Sequence, residues 1–409
     1  MRWYLAGVAS WFIPQGMLSV LVPWIVGHQL HLDGARYFGY AYLVFTLPTV
    51  LCVLLGGWVA DRYDERRVLL MSQGLLGALA AALGLITFAG HLTYGLLLAY
   101  LCCVGTASAF VRPARDSLVG PVSGGQIQRF VTASTAVQFG VQVIGFTLAG
   151  WVERTGAGLM FKFMALMLLM GALAALRLPA PGEPRHVQAQ QRRAAIRGLL
   201  HEPLSVLRVA PGLTPVMLVN LVTGICYNGA YFVIVPKLVL ELEGSGAREL
   251  AFANTAFMLG TLAMTIELLR RRGLARRHVT NLFLAIGANG IALTLICLSS
   301  SISGVVLGMG LWGMGTGVAI ALGRTIVQER SPTALRARLL AMYMLTFMAG
   351  TPIGSVTLGL LAERIGVVGA GVVAAAFTMA AIVLLAVVTD LRRADAFTPN
   401  EAGVSTGGG

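Results

Sequence analysis

Residues 56–67 read GGWVADRYDERR and separate two long apolar segments. Asp61, Arg62 and the bases that follow would be costly inside hydrocarbon, so a chain embedded in lipid must place this stretch at a membrane face. Charge is rare elsewhere, because hydrophobic residues make up 57% of the chain and charged residues only 11%. Soluble domains carry about 25% charged residues. The composition therefore predicts a protein whose solvent is largely lipid.

Twelve apolar stretches are long enough to span a bilayer, which takes about 20 helical residues. They lie at 3–26, 37–60, 68–88, 94–112, 129–150, 156–178, 213–236, 251–269, 279–298, 304–323, 339–361 and 367–389. With the N-terminus inside, 24 of the 30 Lys and Arg residues fall on the inner side. The positive-inside rule thus predicts a multi-pass cell (inner) membrane protein with both termini in the cytoplasm. This topology accounts for the net charge of +13 without a nucleic-acid partner.

One long basic connection divides the chain. It predicts an N-terminal six-helix bundle at 1–178, a cytoplasmic linker at 179–211 and a C-terminal six-helix bundle at 212–389. The tail at 390–409 ends in Ser-Thr-Gly-Gly-Gly and is predicted to be disordered.

The two predicted halves resemble each other in sequence. Phe45–Thr49 matches Phe257–Thr261, and Glu153–Gly156 matches Glu363–Gly366, at a common offset of about 210 residues. Repeats of this kind are expected when two pseudo-symmetric six-helix bundles flank a central pathway.

The opening stretch resembles the loop between the second and third spans of major facilitator superfamily transporters. Its aspartate and arginines stand where the motif has its acid and its bases, although Asp64 and Glu65 depart from the pattern. This version resembles the twelve-span efflux branch that holds drug, macrolide and siderophore exporters. The residues that carry the motif are Gly57, Asp61, Arg62, Arg66 and Arg67.

The resemblance implies a role for Asp61 as a gate. It would sit at the cytoplasmic end of span 2, near the N-terminal end of span 11, with Arg112 of span 4 as its charged partner. Such a cluster would favour the outward-facing state, and the alternative is a passive surface pair. The remaining charges of residues 112–116 are interpreted as solvated loop charge.

Small residues mark spans 5 and 11, which belong to interfaces between the halves in this family. The candidates are Gly145, Gly150, Gly354 and Gly359. Phe146 stands where antiporters of the family usually have proline after the glycine. Ordinary helix packing therefore explains these glycines as well as an antiport role does.

Polar side chains recur at helical spacing on otherwise apolar spans, so they are expected to avoid lipid. They either line a substrate cavity or form hydrogen bonds between helices. The cavity candidates are Gln15, Gln138, Gln142, Asn220, Tyr227, Tyr231 and Asn254. Lys162, one to two turns inside span 6, either extends its amine to the membrane surface or binds an anionic substrate.

Acidic residues are missing from the middle of spans 1, 4, 7 and 10, so the coupling ion stays open. The sequence has no ATP-binding P-loop, no catalytic-triad spacing and no metal-ligand cluster. Neither an enzyme nor a cofactor nor a metal is expected.

The resemblance implies secondary-active export of amphipathic or hydrophobic small molecules by a monomeric carrier through alternating access, with coupling to protons left open. Two alternatives remain. One is a siderophore or metabolite carrier that exports or imports, and the other is a lipid or lysophospholipid flippase. A wet, polar central cavity would favour the carrier, and a lateral apolar opening the flippase.

Overall fold

The computed structural model describes residues 2–123, 127–178, 211–270, 278–332 and 335–389. Every regular element in these ranges is helical. The predicted tail at 390–409, and all of the predicted linker except Pro211, lie outside the described residues.

The long helices are labelled in chain order, and the last two are arms of one helix, Arg336–Thr389, that bends at Gly366. They are α1 (Arg2–Trp24), α2 (Ala35–Arg62), α3 (Glu65–Phe88), α4 (Tyr94–Ser117), α5 (Ile127–Ala149), α6 (Ala157–Leu176), α7 (Thr214–Glu241), α8 (Ala247–Arg270), α9 (His278–Leu298), α10 (Ile302–Arg330), α11 (336–365) and α12 (367–389).

Ten helices within the described residues are long and apolar enough to cross a membrane. One of the ten, Arg338–Val387, contains parts of both α11 and α12. The apolar part of α5, Ala133–Ala149, is shorter than the others. The predicted all-α membrane protein is therefore confirmed, while the count of twelve spans stays a prediction.

Several helices have an N-terminal side-chain cap near the start of the apolar stretch. Asp64 accepts a hydrogen bond from the backbone N–H of Arg66 at 2.9 Å, and α3 begins there. Thr93 caps α4 and Ser301 caps α10 in the same way. Each cap satisfies one of the N–H groups that a helix leaves unpaired in its first turn.

The same three helix pairings occur in both halves. In the first half α1 packs on α5, α2 on α4 and α3 on α6. In the second half the pairs are α7 with α11, α8 with α10 and α9 with α12. The predicted pseudo-symmetry of the halves is thus a property of the fold.

The Phe-to-Thr repeat makes the same contact in each half. Thr49 on α2 donates a hydrogen bond to the carbonyl of Gly105 on α4 at 2.7 Å. Thr261 on α8 donates to the carbonyl of Gly313 on α10 at 3.1 Å. A methyl group on either glycine would collide with the carbonyl of Phe45 or Phe257, so small residues set how closely these helices approach.

The end of α4 differs from the predicted loop. The helix continues through Pro113 to Ser117, so residues 112–116 lie on a helix. Arg115 is 8% exposed, and Cζ of its guanidinium lies 4.8 Å from the ring centre of Phe12 on α1. The prediction of a solvated charge was wrong for Arg115, because α1 covers this face of α4.

The outer surface of the bundle is apolar. On α9, for example, Leu284, Ile291 and Leu295 are each more than half exposed. Soluble monomers rarely expose apolar surface on this scale. These side chains instead suit the hydrocarbon of a bilayer.

Candidate substrate pathway and gates

Two carboxylates join the halves at one end of the bundle. Oε1 of Glu363, at the end of α11, lies 3.3 Å from Nε of Arg36 in the first turn of α2. Glu153, in the short helix Val152–Thr155 after α5, accepts a hydrogen bond from the backbone N–H of Ala247 at 2.9 Å. We call this end, with residues 34–36, 150–153, 246–251 and 359–363, the joined end, and the opposite end the far end.

The predicted interface glycines divide into two pairs. Gly150 packs against Ala251 of α8, and Gly359 packs against the first turns of α2, so both face the opposite half at the joined end. Gly145 lies against α1, and Gly354 against α7. The nearest neighbours of this second pair belong to their own half rather than to the interface between the halves.

An aromatic contact joins the two halves next to the joined end. The rings of Tyr42 on α2 and Phe232 on α7 are stacked with their centres 4.4 Å apart. Tyr42 is 4% exposed, and its hydroxyl has no hydrogen-bond partner among the described residues. Attractive contacts between the halves at the joined end are therefore followed by a buried hydroxyl that no described residue satisfies.

Exposure on the interface sides of α11 and α5 rises away from the joined end. Ser355 of α11 packs against Gly39 of α2 and is fully buried. Met344 lies eleven residues earlier, just over three turns, and so on the same side of α11, yet it is 47% exposed. On α5, Ala136 lies on the side of Gly150 and is exposed as well. These exposed positions are what a gap between the halves at the far end would leave.

The cavity candidates of the second half are bonded within that half. The amide of Asn220 donates to the carbonyl of Tyr343 on α11 at 2.6 Å. The hydroxyl of Tyr227 donates to the carbonyl of Ile286 on α9 at 3.0 Å. Tyr231 donates to Oδ1 of Asn254 on α8 at 2.6 Å.

These side chains point to three different helices because α7 is not a regular α-helix. Two π-helical turns, Gly224–Asn228 and Ala230–Ile234, interrupt it. A π-helical turn contains more residues than an α-helical turn, so each residue rotates by a smaller angle about the helix axis. Polar residues at α-helical spacing therefore do not all lie on one face of α7. The spacing of Asn220, Tyr227 and Tyr231 therefore does not define one continuous face.

An aromatic group that the sequence analysis did not identify lies beside them. Trp312 of α10 makes edge contacts with Tyr227, Tyr231 and Phe257, with ring centres between 5.8 and 6.4 Å apart. Tyr231 also contacts Phe232 and Phe257, with ring centres 5.1 and 5.0 Å away, respectively. Phe232 extends the group towards the interface between the halves. A single tryptophan in an apolar span gives no sequence signal for such a group.

The candidates of the first half have a different environment. Gln15, Gln138 and Gln142 are half-buried, and their amides have no hydrogen bond to any described residue. The side chain of Gln142 lies over Gly16 on α1, next to Gln15. The first half thus offers unpaired amides, whereas the second half offers aromatic rings and bonded polar groups.

The remaining predicted residues lie at or near the far end, except Lys162. Gly57 is buried, Arg66 is half-buried, and Arg62, Arg67 and Arg112 are exposed. The side chain of Asp61 is outside the described set, so its pairing with Arg112 stays a prediction. The amine of Lys162 lies 4.6 Å from the ring centre of Phe88, between α6 and α3 and away from the interface. No three His, Cys, Asp or Glu of the described ranges could together hold a metal ion.

Comparison with known proteins adds the family context. Residues 5–289 match the family model described as Major Facilitator Superfamily. The enterobactin exporter EntS of Shigella boydii serotype 4 (strain Sb227) is 26% identical over 404 residues, which cover 92% of this chain and 89% of that protein. The multidrug efflux pump Tap of Mycobacterium tuberculosis (strain ATCC 25618 / H37Rv) is 23% identical over 368 residues, covering 86% and 84%.

Solved structures share the fold. The nucleoside transporter NupG superposes with a TM-score of 0.74 at 11% identity, covering 95% of this chain and 99% of that one. The human organic anion transporter MFSD10 (TETRAN) superposes with a TM-score of 0.65 at 15% identity, covering 94% and 98%. At these identities the likeness concerns the fold alone.

Proposed function

Because the chain belongs to the major facilitator superfamily, we propose that it is a secondary-active exporter of amphipathic or hydrophobic small molecules, working by alternating access. The observation that carries the mechanism is the pair of contacts that join the halves at one end, while Met344 and Ala136 on the same helix sides are exposed towards the other end. Export is supported by the names of two relatives similar over most of the chain, an enterobactin exporter and a multidrug efflux pump.

The charge distribution supplies the proposed orientation. Arg36 and Arg248 lie at the joined end, and Arg154 and Arg364 directly follow its residues 150–153 and 359–363. These four are among the six Lys and Arg that the sequence analysis assigns to the minority side, and the same analysis assigns the other 24 to the opposite side. The positive-inside rule then puts the far end and both termini in the cytoplasm. In this orientation the structure is the inward-facing state of a monomeric carrier, with residues 1–178 and 212–389 as its moving halves.

The two walls of the cleft support a substrate with both polar and aromatic character. Gln15, Gln138 and Gln142 offer amides that can donate and accept hydrogen bonds. The rings around Trp312 offer flat apolar surface on the opposite half. A siderophore or metabolite carrier is the second candidate, because the unpaired amides suit a polar ligand and one relative is an enterobactin exporter.

Transport into proteoliposomes tests the proposal. The protein is reconstituted, a pH gradient is imposed, and the uptake of hydrophobic dyes, macrolides, siderophores and lysolipids is compared with that of protein-free vesicles. We expect movement of the amphipathic dyes, driven by the pH gradient if protons are the coupling ion. Movement of siderophores alone would favour the second candidate. Transfer of lysolipids alone would identify a flippase and overturn the export of soluble compounds.

A further inference from the structure

The two glutamates of the joined end occupy equivalent positions in the two halves. Each begins a Glu-Arg-x-Gly segment, at 153–156 after α5 and at 363–366 at the end of α11. Gly156 has φ of +77° and Gly366 has φ of +81°, a conformation that L-residues with a side chain rarely adopt. Each glutamate is thus held immediately before the same kind of sharp corner.

Their partners are equivalent as well. Residues 34–36 and 246–248 both read Gly-Ala-Arg, are 212 residues apart, and form the starts of α2 and α8. Glu363 of the second half contacts Arg36 of the first, and Glu153 of the first half accepts from Ala247 of the second. Each half therefore provides one glutamate and one Gly-Ala-Arg turn to receive the other.

The glycine of each turn makes room for the glutamate. A methyl group built on Gly34 would lie 2.6 Å from Oε1 of Glu363, and one on Gly246 would collide with Oε1 of Glu153. Both glycines lie outside the positive-φ region, so the backbone itself would accept alanine. A larger residue at either glycine would therefore take the space that the carboxylate occupies.

We infer that Glu153 and Glu363 form a reciprocal pair of latches that hold the joined end closed. The role of the pair in transport rests on the proposed alternating access, whereas its effect on the closed state does not. Because the halves are packed bundles, one movement that opens the joined end separates both contacts together. The effects of the two latches on the opening equilibrium therefore multiply.

Exposure sets the size of the expected effect. The side chains of Arg36 and Glu363 are 46% and 27% exposed, so water screens their attraction. Ion pairs of this kind change an equilibrium by about 1.5- to 5-fold. A carboxylate at an exposed helix N-terminus contributes about the same. We expect each neutralised glutamate to raise the opening constant about 1.5- to 5-fold, and the double variant to reach the product of the two factors.

A thiol at a buried position of the interface reports the opening of the joined end, even when the open state is rare. Ser355 is fully buried and its backbone carbonyl lies against Gly39 of the other half, so a cysteine there is expected to become reactive when the halves separate. Ser355→Cys is made in the full chain with its five native cysteines replaced by alanine. The rate of its modification in detergent, with reagent slow relative to closing, is proportional to the opening constant.

Glu153→Gln, Glu363→Gln and the double variant are compared with Glu249→Gln. Glu249 accepts from the backbone N–H of Gly246 at the same helix start, but that contact stays within one half. Modification of Ser355→Cys should be faster in the first three variants, and its rate should be unchanged in Glu249→Gln. Gly34→Ala and Gly246→Ala should accelerate modification without any change of charge.

The outcomes separate the latch from the transport function. Unchanged rates in both Glu153→Gln and Glu363→Gln, or equal acceleration in Glu249→Gln, would overturn the latch. A double variant no faster than the faster single variant would overturn its reciprocal action. The measurement needs no substrate, so failure of every transport probe would overturn only the proposed function.

Discussion

Removing the hydroxyl of Tyr42 should stabilise the closed joined end. The ring is stacked on Phe232 of the other half at 4.4 Å, and the hydroxyl is buried without a partner among the described residues. A buried unsatisfied polar group costs about 1–3 kcal/mol. When the halves separate, water can satisfy the group, so this cost falls on the closed state only.

Tyr42→Phe keeps the stacked ring and removes the cost. The opening constant should fall about 5- to 150-fold, because 1.4 kcal/mol is about a factor of ten. The modification rate of Ser355→Cys measures this change directly. Tyr227→Phe is the matched control, since it removes a hydroxyl bonded to Ile286 within one half. If Tyr42→Phe leaves the rate unchanged or raises it, the hydroxyl does not oppose closure and the reasoning fails.

Three further predictions concern packing, the far end and topology. Gly145→Ala should lower thermal stability by about 1–3 kcal/mol because its methyl group meets the backbone of α1, whereas Gly140→Ala, with open space around it, should be neutral in the same melting assay. Asp61→Asn should fold normally but favour the inward-facing state and slow transport; full transport with unchanged modification of Ser355→Cys would leave the motif as a surface turn. With an impermeant reagent, a single cysteine at Thr155 should react in whole cells and one at Tyr63 only in inside-out membrane vesicles, and the reverse pattern would invert the proposed orientation.

Sequence reasoning was strongest where a repeat or an apolar stretch can be recognised directly in the chain. The repeat that pairs Phe45–Thr49 with Phe257–Thr261 was visible in the sequence, and each threonine forms the equivalent bond in the structure. Apolar length likewise predicted the helices, since a bilayer leaves few alternatives. These features need only local pattern and the identity of the solvent.

Contacts between distant segments were not predictable in the same way. The partner of Glu363 lies in α2, at the other end of the chain, and no periodicity connects the two. The direction of Tyr227 depended on π-helical turns that the spacing of polar residues does not reveal. The charges of residues 112–116 were interpreted as loop charge, yet α4 continues through Pro113 to Ser117. In each case tertiary packing decided between options that the local sequence left equal.

The corners at Gly156 and Gly366 also give the molecule a mechanical property. α11 passes into α12 through one residue, without a slack loop, and the corner after Glu153 is almost as short. α6 and α12 carry exposed apolar side chains such as Leu173 and Phe377, at 63% and 59%, so lipid tails press directly on them. A bilayer thicker or thinner than these helices tilts them, and a taut corner passes that tilt to the adjoining glutamate. The acyl-chain length of the surrounding lipid is therefore expected to tune how readily the joined end opens.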